Sequence, residues 1–152
     1  MSGVTTFSEG FPLNISSLAN TLSSTFGAGT IRPNLVAGCN TKFAGPARNR
    51  LTQWFNTACF TQPTAFAFGN YPRTSPNLRS AGIANYDFNI TKSFVIREGW
   101  SMEFDSQFFN IFNREQFAAP AVQDGNAAFG QVTATSPVAN PRLVQFAARL
   151  KF

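Results

Sequence analysis

From Tyr86 to Phe112 apolar and polar residues alternate. Tyr86, Phe88, Ile90, Phe94 and Ile96 share one face, broken only by Lys92, while Asp87, Asn89, Thr91 and Ser93 share the other. A period of two is the mark of a strand with unlike faces. Arg97-Glu98-Gly99 then reads as a three-residue hairpin loop with glycine in the left-handed position. Trp100, Met102, Phe104, Phe108 and Phe112 follow on one face, and Ser101, Glu103, Asp105 and Gln107 on the other. Setting Ile96 opposite Trp100 puts Phe94 opposite Met102, Ile90 opposite Ser106 and Phe88 opposite Phe108, so the apolar faces coincide as a hairpin requires. Lys92 then faces Phe104. On a lipid-facing surface that lysine costs roughly 2–4 kcal/mol, which a bulge or snorkelling of its stem would reduce.

The alternation returns at the end. Val144, Phe146, Ala148, Leu150 and Phe152 form one face; Leu143, Gln145, Ala147, Arg149 and Lys151 form the other, and the chain stops on Phe152. Such a strand suits a bilayer-spanning barrel, which needs about 9–11 residues per strand. Gly3 to Phe11 reads as a further strand, rich in Thr and Phe, interrupted by Pro12. Between Asn14 and about Ser80 no period is sustained. Ser16-Ser17, Ser23-Ser24, Gly27-Ala28-Gly29, Gly45-Pro46 and Tyr71-Pro72 are turn and loop residues. The apolar runs Ile15 to Leu22 and Cys59 to Phe68 have room for one helical turn or small hairpins. The stretch after Phe112 is again irregular, through Asn113-Arg114-Glu115, Pro120, Asp124-Gly125-Asn126 and Pro137.

The expected fold is all-β: an antiparallel meander of about four strands near 3–11, 84–96, 100–112 and 142–152. Long loops over 12–83 and 113–141 join them. Barrels alternate short periplasmic turns with long outer loops, so the Arg97–Gly99 turn is expected in the periplasm and both long loops outside. The whole chain then reads as one partial transmembrane β-barrel. Tyr86, Trp100 and Phe152 become candidate interfacial aromatics.

Composition supports strands meeting lipid. Phenylalanine occurs 18 times and only 12% of residues are charged, against roughly 25% in soluble domains. No apolar run reaches the ~18 residues of a transmembrane helix. The net charge of +5 is spread along the chain, which is not the clustered footprint of a nucleic-acid surface. Met1-Ser2-Gly3-Val4 carries no basic region or apolar core of a signal peptide, so the expectation is a processed chain or a piece of a longer one, the latter preferred.

Catalytic chemistry finds little support. Histidine is absent, which excludes Ser-His-Asp and Cys-His arrangements. No Gly-x-Ser-x-Gly elbow or phosphate-binding glycine loop occurs. Glu103 and Asp105 are the closest carboxylates, two apart on one strand face, and read as lumen residues rather than a glycosidase pair. No cofactor or metal site is expected. Cys39 and Cys59 lack a His or third Cys for zinc; they either close one loop as a disulfide, worth ~3 kcal/mol, or remain two thiols.

Several segments resemble one family. Asn85-Tyr86-Asp87-Phe88-Asn89-Ile90-Thr91-Lys92-Ser93-Phe94 resembles the N-x-D-x-S-x-x-K-x-F strand near the end of Oar-like TonB-dependent receptors. Phe108-Phe109-Asn110-Ile111-Phe112-Asn113-Arg114, with Phe117 and Pro120, is similar to their F-x-N-x-F-N-x-x-x-F-x-x-P stretch. Phe129-Gly130 and Asn140-Pro141-Arg142-Leu143-Val144-Gln145-Phe146 resemble the F-G … P-R-x-x-Q-F closing segment. Ser8-Glu9-Gly10-Phe11-Pro12 resembles the S-G-x-P end of an earlier strand, and Trp54-Phe55-Asn56 with Cys59-Phe60 an outer loop.

The resemblance implies a barrel of about 22 strands around an N-terminal plug, TonB-driven uptake, and often a carboxypeptidase-regulatory-like domain in front. It implies the bacterial outer membrane as location, with outer-membrane lipid, the rest of the barrel and plug, and the barrel-assembly machinery as partners. Phe146, Leu150 and Phe152 would carry the assembly signal. Plug, TonB box and signal peptide are missing from this stretch, and about four strands fall short of the smallest membrane barrels, which use about eight. The stretch is therefore expected to be a structural, substrate-facing part that cannot transport alone, or to pair its strand edges with other copies. The alternative is a soluble or secreted all-β binding module for glycan or protein, with the apolar faces buried in a sandwich core.

Overall fold

The computed structural model describes residues 1–19, 22, 30–137 and 141–152. Its strands in chain order are β1 (Ser2–Ser8), β2 (Ser16–Ser17), β3 (Asn34–Leu35), β4 (Phe60–Thr61), β5 (Ile83–Arg97), β6 (Trp100–Phe109), β7 (Gln123–Asp124) and β8 (Leu143–Lys151). The chain forms two compact units, one of Met1–Glu9, Gly82–Gln116 and Thr135–Phe152, the other of Gly10–Ala81 and Phe117–Ala134.

The first unit is a four-stranded antiparallel sheet in the order β1-β5-β6-β8. The meander and the inward register follow the side-chain alternation: Phe88 faces Phe108, Ile90 faces Ser106, Lys92 faces Phe104 and Phe94 faces Met102. β8 extends the same faces, with Leu150 beside Met102, Ala148 beside Phe104 and Val144 beside Phe108. β1 adds Gly3 beside Phe88 and Thr5 beside Tyr86.

The hairpin end differs from expectation. Trp100 pairs with Arg97 rather than Ile96, and the register shifts between Val95 and Arg97. A bulge absorbs one residue there and leaves a tighter turn, closed by Gly99 at φ 79°. Two strands also stop early. β6 ends at Phe109 instead of Phe112, because Asn110 adopts φ 48°, a left-handed conformation that no strand can continue through. β1 ends at Ser8 instead of Phe11, and Pro12 makes only an isolated bridge to Arg79.

The second unit is built from chain that lacks periodicity, yet it has a core. Leu13, Ile15, Trp54, Phe55, Cys59, Phe60, Tyr71 and Leu78 form one buried cluster. Edge-on aromatic pairs organise it: Phe55–Phe129 at 5.2 Å, Phe55–Phe60 at 5.6 Å and Phe60–Tyr71 at 5.0 Å between ring centroids. Among its described residues, regular structure is confined to short pieces: parallel β2–β7, antiparallel β3–β4, and 3-10 turns over Ala47–Arg50 and Thr57–Cys59. The Asn56 side chain caps the second turn by accepting the Ala58 N–H at 3.2 Å. In the Ile15–Leu22 run, Ser16 and Ser17 form β2, whereas Asn20 and Thr21 lie outside the described residues, as do Ser23-Ser24, Gly27-Ala28-Gly29 and Asn140.

Polar groups of the buried aromatic side chains find partners. The Trp54 indole N–H donates to the Arg79 carbonyl at 2.8 Å. Tyr71 donates its hydroxyl proton to Ser75 Oγ at 2.7 Å, and that oxygen also accepts the Leu78 N–H at 2.9 Å. Burial pushes the Tyr71 phenol above its usual range, partly offset by the Ser75 bond. Cys39 and Cys59 are joined by a disulfide, with Cα atoms 5.5 Å apart. Gly69 is required where chains cross, since a Cβ there would sit 1.9 Å from the Arg32 carbonyl oxygen.

Candidate functional site

Among the described residues, every buried hydrophobic side chain belongs to the loop-borne unit; the large apolar side chains of the sheet are half-buried or exposed. Phe146 is 65% and Ile96 57% exposed. A sandwich core would bury this face. A continuous exposed apolar surface of Phe, Ile, Met, Val and Leu instead marks contact with a partner or membrane.

The face is organised along the strands. Near the loop end, Tyr86 packs edge-on between Phe7 at 5.4 Å and Phe112 at 5.0 Å. At the turn end, Trp100 stacks on Phe152 at 5.4 Å, and the Arg97 guanidinium lies 4.6 Å from the Trp100 ring centroid. Between them Phe146 stacks on Phe104 at 5.9 Å and meets Phe108 edge-on at 6.4 Å. Leu150 sits on the same face beside Met102. The structure thus places Tyr86 at one end of the sheet and Trp100 with Phe152 at the other. The strand between Tyr86 and Ile96 is ~34 Å long at ~3.4 Å per residue; tilted by about 40°, it covers the ~25 Å apolar band of a membrane barrel. The 10 residues of β6 and the 9 of β8 match the length of a spanning strand.

The opposite face is a ladder of paired polar groups. Glu103 accepts from Lys151 Nζ at 2.7 Å and lies 3.8 Å from Arg149. Asp105 accepts from Thr91 at 2.8 Å and from Gln107 at 2.9 Å. The two closest carboxylates are therefore both engaged in cross-strand bonds.

At the loop end, three segments singled out by sequence meet. Asp87 accepts the Asn85 amide and the Asn110 backbone N–H, each at 2.9 Å. Asn110 is buried; its Oδ1 accepts the Arg114 N–H at 2.8 Å and its Nδ2 donates to the Arg114 carbonyl at 3.1 Å. Asn113 Oδ1 accepts the Arg142 N–H at 3.2 Å. Asparagine suits these positions, since both Asn110 and Asn113 have positive φ, 48° and 49°. A cleft of about 280 Å³ lies beside the clamp, lined by Thr6, Asn85, Asp87, Asn110 and Gln116 among others. The sequence placed Asp87 on the polar face of its strand and offered Asn110 only as a motif letter, and their contact is a product of the register.

Among the described residues no group of three or more His, Cys, Asp or Glu side chains is placed to hold a metal ion. No described helix is long and apolar enough to cross a membrane, which leaves crossing by strands open.

A sheet with one lipid-like face, one polar face and aromatic ends defines an outer-membrane barrel element. A family model, the outer membrane beta barrel domain, matches residues 1–145, and the chain belongs to that family. It is part of an outer-membrane β-barrel protein. No curated protein and no solved structure matches the chain significantly.

Proposed function

We infer that this chain is a section of wall in a TonB-dependent receptor of the Oar-like kind, in a bacterial outer membrane. The observation that carries this is the four-stranded, two-faced sheet whose outer strands, β1 and β8, each have an unpaired edge among the described residues. Lipid cannot solvate a row of free N–H and C=O groups, so both edges need further strands. Strands of the same polypeptide are the simplest source, which makes this section incompetent for transport alone.

The Oar-like assignment is supported by where the motif residues fall. The Asn85–Phe94 segment forms the centre of β5, Phe108–Arg114 ends β6 in the Asn110 turn, and Arg142–Phe146 opens β8. Asp87–Asn110 and Asn113–Arg142 bonds join all three. Both long connections leave the sheet at the end opposite Gly99, which in this orientation is extracellular. The polar face lines the lumen, and the loops offer the surface that substrate meets first.

The test is in-cell photocrosslinking from β1 at Val4 and from β8 at Ala147, in the polypeptide that carries this chain. The receptor assignment expects crosslinks to other barrel strands of that polypeptide, and TonB-dependent uptake by it. Crosslinks formed only between copies of this chain would refute the assignment and favour self-assembly through the edges.

A further inference from the structure

Lys92 sits on the apolar face, paired with Phe104 in uninterrupted register. The bulge lies further on, beyond Val95, so it does not remove the lysine from that face. Its ammonium is instead directed toward Phe94, 5.9 Å from that ring centroid. Phe94 is the next residue on this face toward the Gly99 turn. Arg97, at the turn, lies over Trp100. Neither cation has a carboxylate partner among the described residues.

We propose that Lys92 and Arg97 form a binding site for the phosphate of an anionic phospholipid headgroup, at the turn-side rim of the sheet. The proposal rests on the outer-membrane assignment and on the periplasmic placement of the turn, where the facing leaflet is phospholipid. Depth supports it. The stretch from Lys92 to Arg97, one residue of which the bulge absorbs, covers ~13 Å of strand, or ~10 Å of depth at a barrel tilt of about 40°. A lysine stem reaching ~6 Å toward the turn brings the ammonium to the edge of the interfacial layer, which is about 5–7 Å thick. Arg97 already lies within that layer, held flat by Trp100 and, behind it, Phe152. Two unpaired cations at different heights on a lipid-facing surface complement a phosphate and its glycerol backbone, and would repel one another without an anion.

Trp100 is a built-in reporter, because it touches Arg97, whereas Trp54 is buried in the loop-borne unit. The polypeptide that carries this chain, with its tryptophans other than Trp100 replaced by phenylalanine, is folded into phosphatidylcholine vesicles containing equal fractions of either dibrominated phosphatidylglycerol or dibrominated phosphatidylcholine, and tryptophan quenching is measured. The expected local enrichment of phosphatidylglycerol is about five-fold per interfacial cation at low salt, collapsing at 1 M salt. K92Q with R97Q should lose the preference and K92R should keep it. Equal quenching by the two lipids with Lys92 and Arg97 intact, or a preference that survives the double substitution, overturns the proposal and leaves the membrane assignment standing. Quenching by neither lipid overturns the membrane assignment and the proposal with it.

Discussion

Reducing the Cys39–Cys59 disulfide should cost the loop-borne unit a large share of its stability. The bridge spans a sequence separation of 20 residues. Closing a loop of that length removes ~3 kcal/mol of chain entropy from the unfolded state, a large share of the 5–15 kcal/mol typical of a domain. Among its described residues the unit has no long strand or helix to compensate, and Cys59 itself is fully buried in the aromatic cluster. The two serine substitutions are therefore unequal. Cys39→Ser should resemble reduction, whereas Cys59→Ser also buries a hydroxyl without a provided partner, adding about 1–3 kcal/mol. Urea unfolding followed by Trp54 fluorescence, in a Trp100→Phe background, reads the difference. With a slope of about 1–1.5 kcal/mol per molar urea, reduction should lower the midpoint by about 2–3 M. Coincident curves for oxidised and reduced protein would refute the idea that the bridge stabilises this core.

Phe55→Ala should destabilise the same unit by about 3–5 kcal/mol, since Phe55 is fully buried and contacts both Phe60 and Phe129; a loss below about 1 kcal/mol in the same urea assay would contradict that packing. Asp87→Ala strips the acceptor from the Asn110 N–H, at a cost of about 1–3 kcal/mol, and should speed hydrogen exchange over residues 110–114, while Asp87→Asn spares it. Burial raises the Asp124 carboxyl above its usual value, and its Oδ2 is buried without a partner. The folded state therefore holds the Asp124 proton more tightly than the unfolded state does. This contribution to stability is greatest below about pH 3.8 and is lost as pH rises through the elevated folded value. Asp124→Asn should flatten that part of the profile and raise stability at neutral pH, and a profile unchanged by the substitution would contradict the burial effect.

The sheet was legible because its faces obey a period of two, and the inner pairs from Phe88–Phe108 to Phe94–Met102 follow from matching those faces. The Ile96 irregularity was hidden because Ile96 and Arg97 continue the alternation up to the turn, so nothing in hydrophobicity marks an extra residue. The core around Phe55 was hidden for another reason. Leu13, Trp54, Phe60, Tyr71 and Leu78 meet through contacts distant in sequence, and burial of apolar surface is non-directional, so no local spacing announces it. Asn110 sits between these cases: asparagine hints at a left-handed residue, but only the fold brings Asp87 to its N–H.

The central claim is that the Phe/Leu face of the sheet meets lipid and the opposite face meets the lumen. Single spin labels stepped through residues 144–149 of β8, in native outer membranes, test it most directly. Oxygen accessibility is predicted to alternate with period two, high at positions 144, 146 and 148 and low at 145, 147 and 149. Uniform accessibility to a water-soluble relaxing agent along the strand would contradict the assignment.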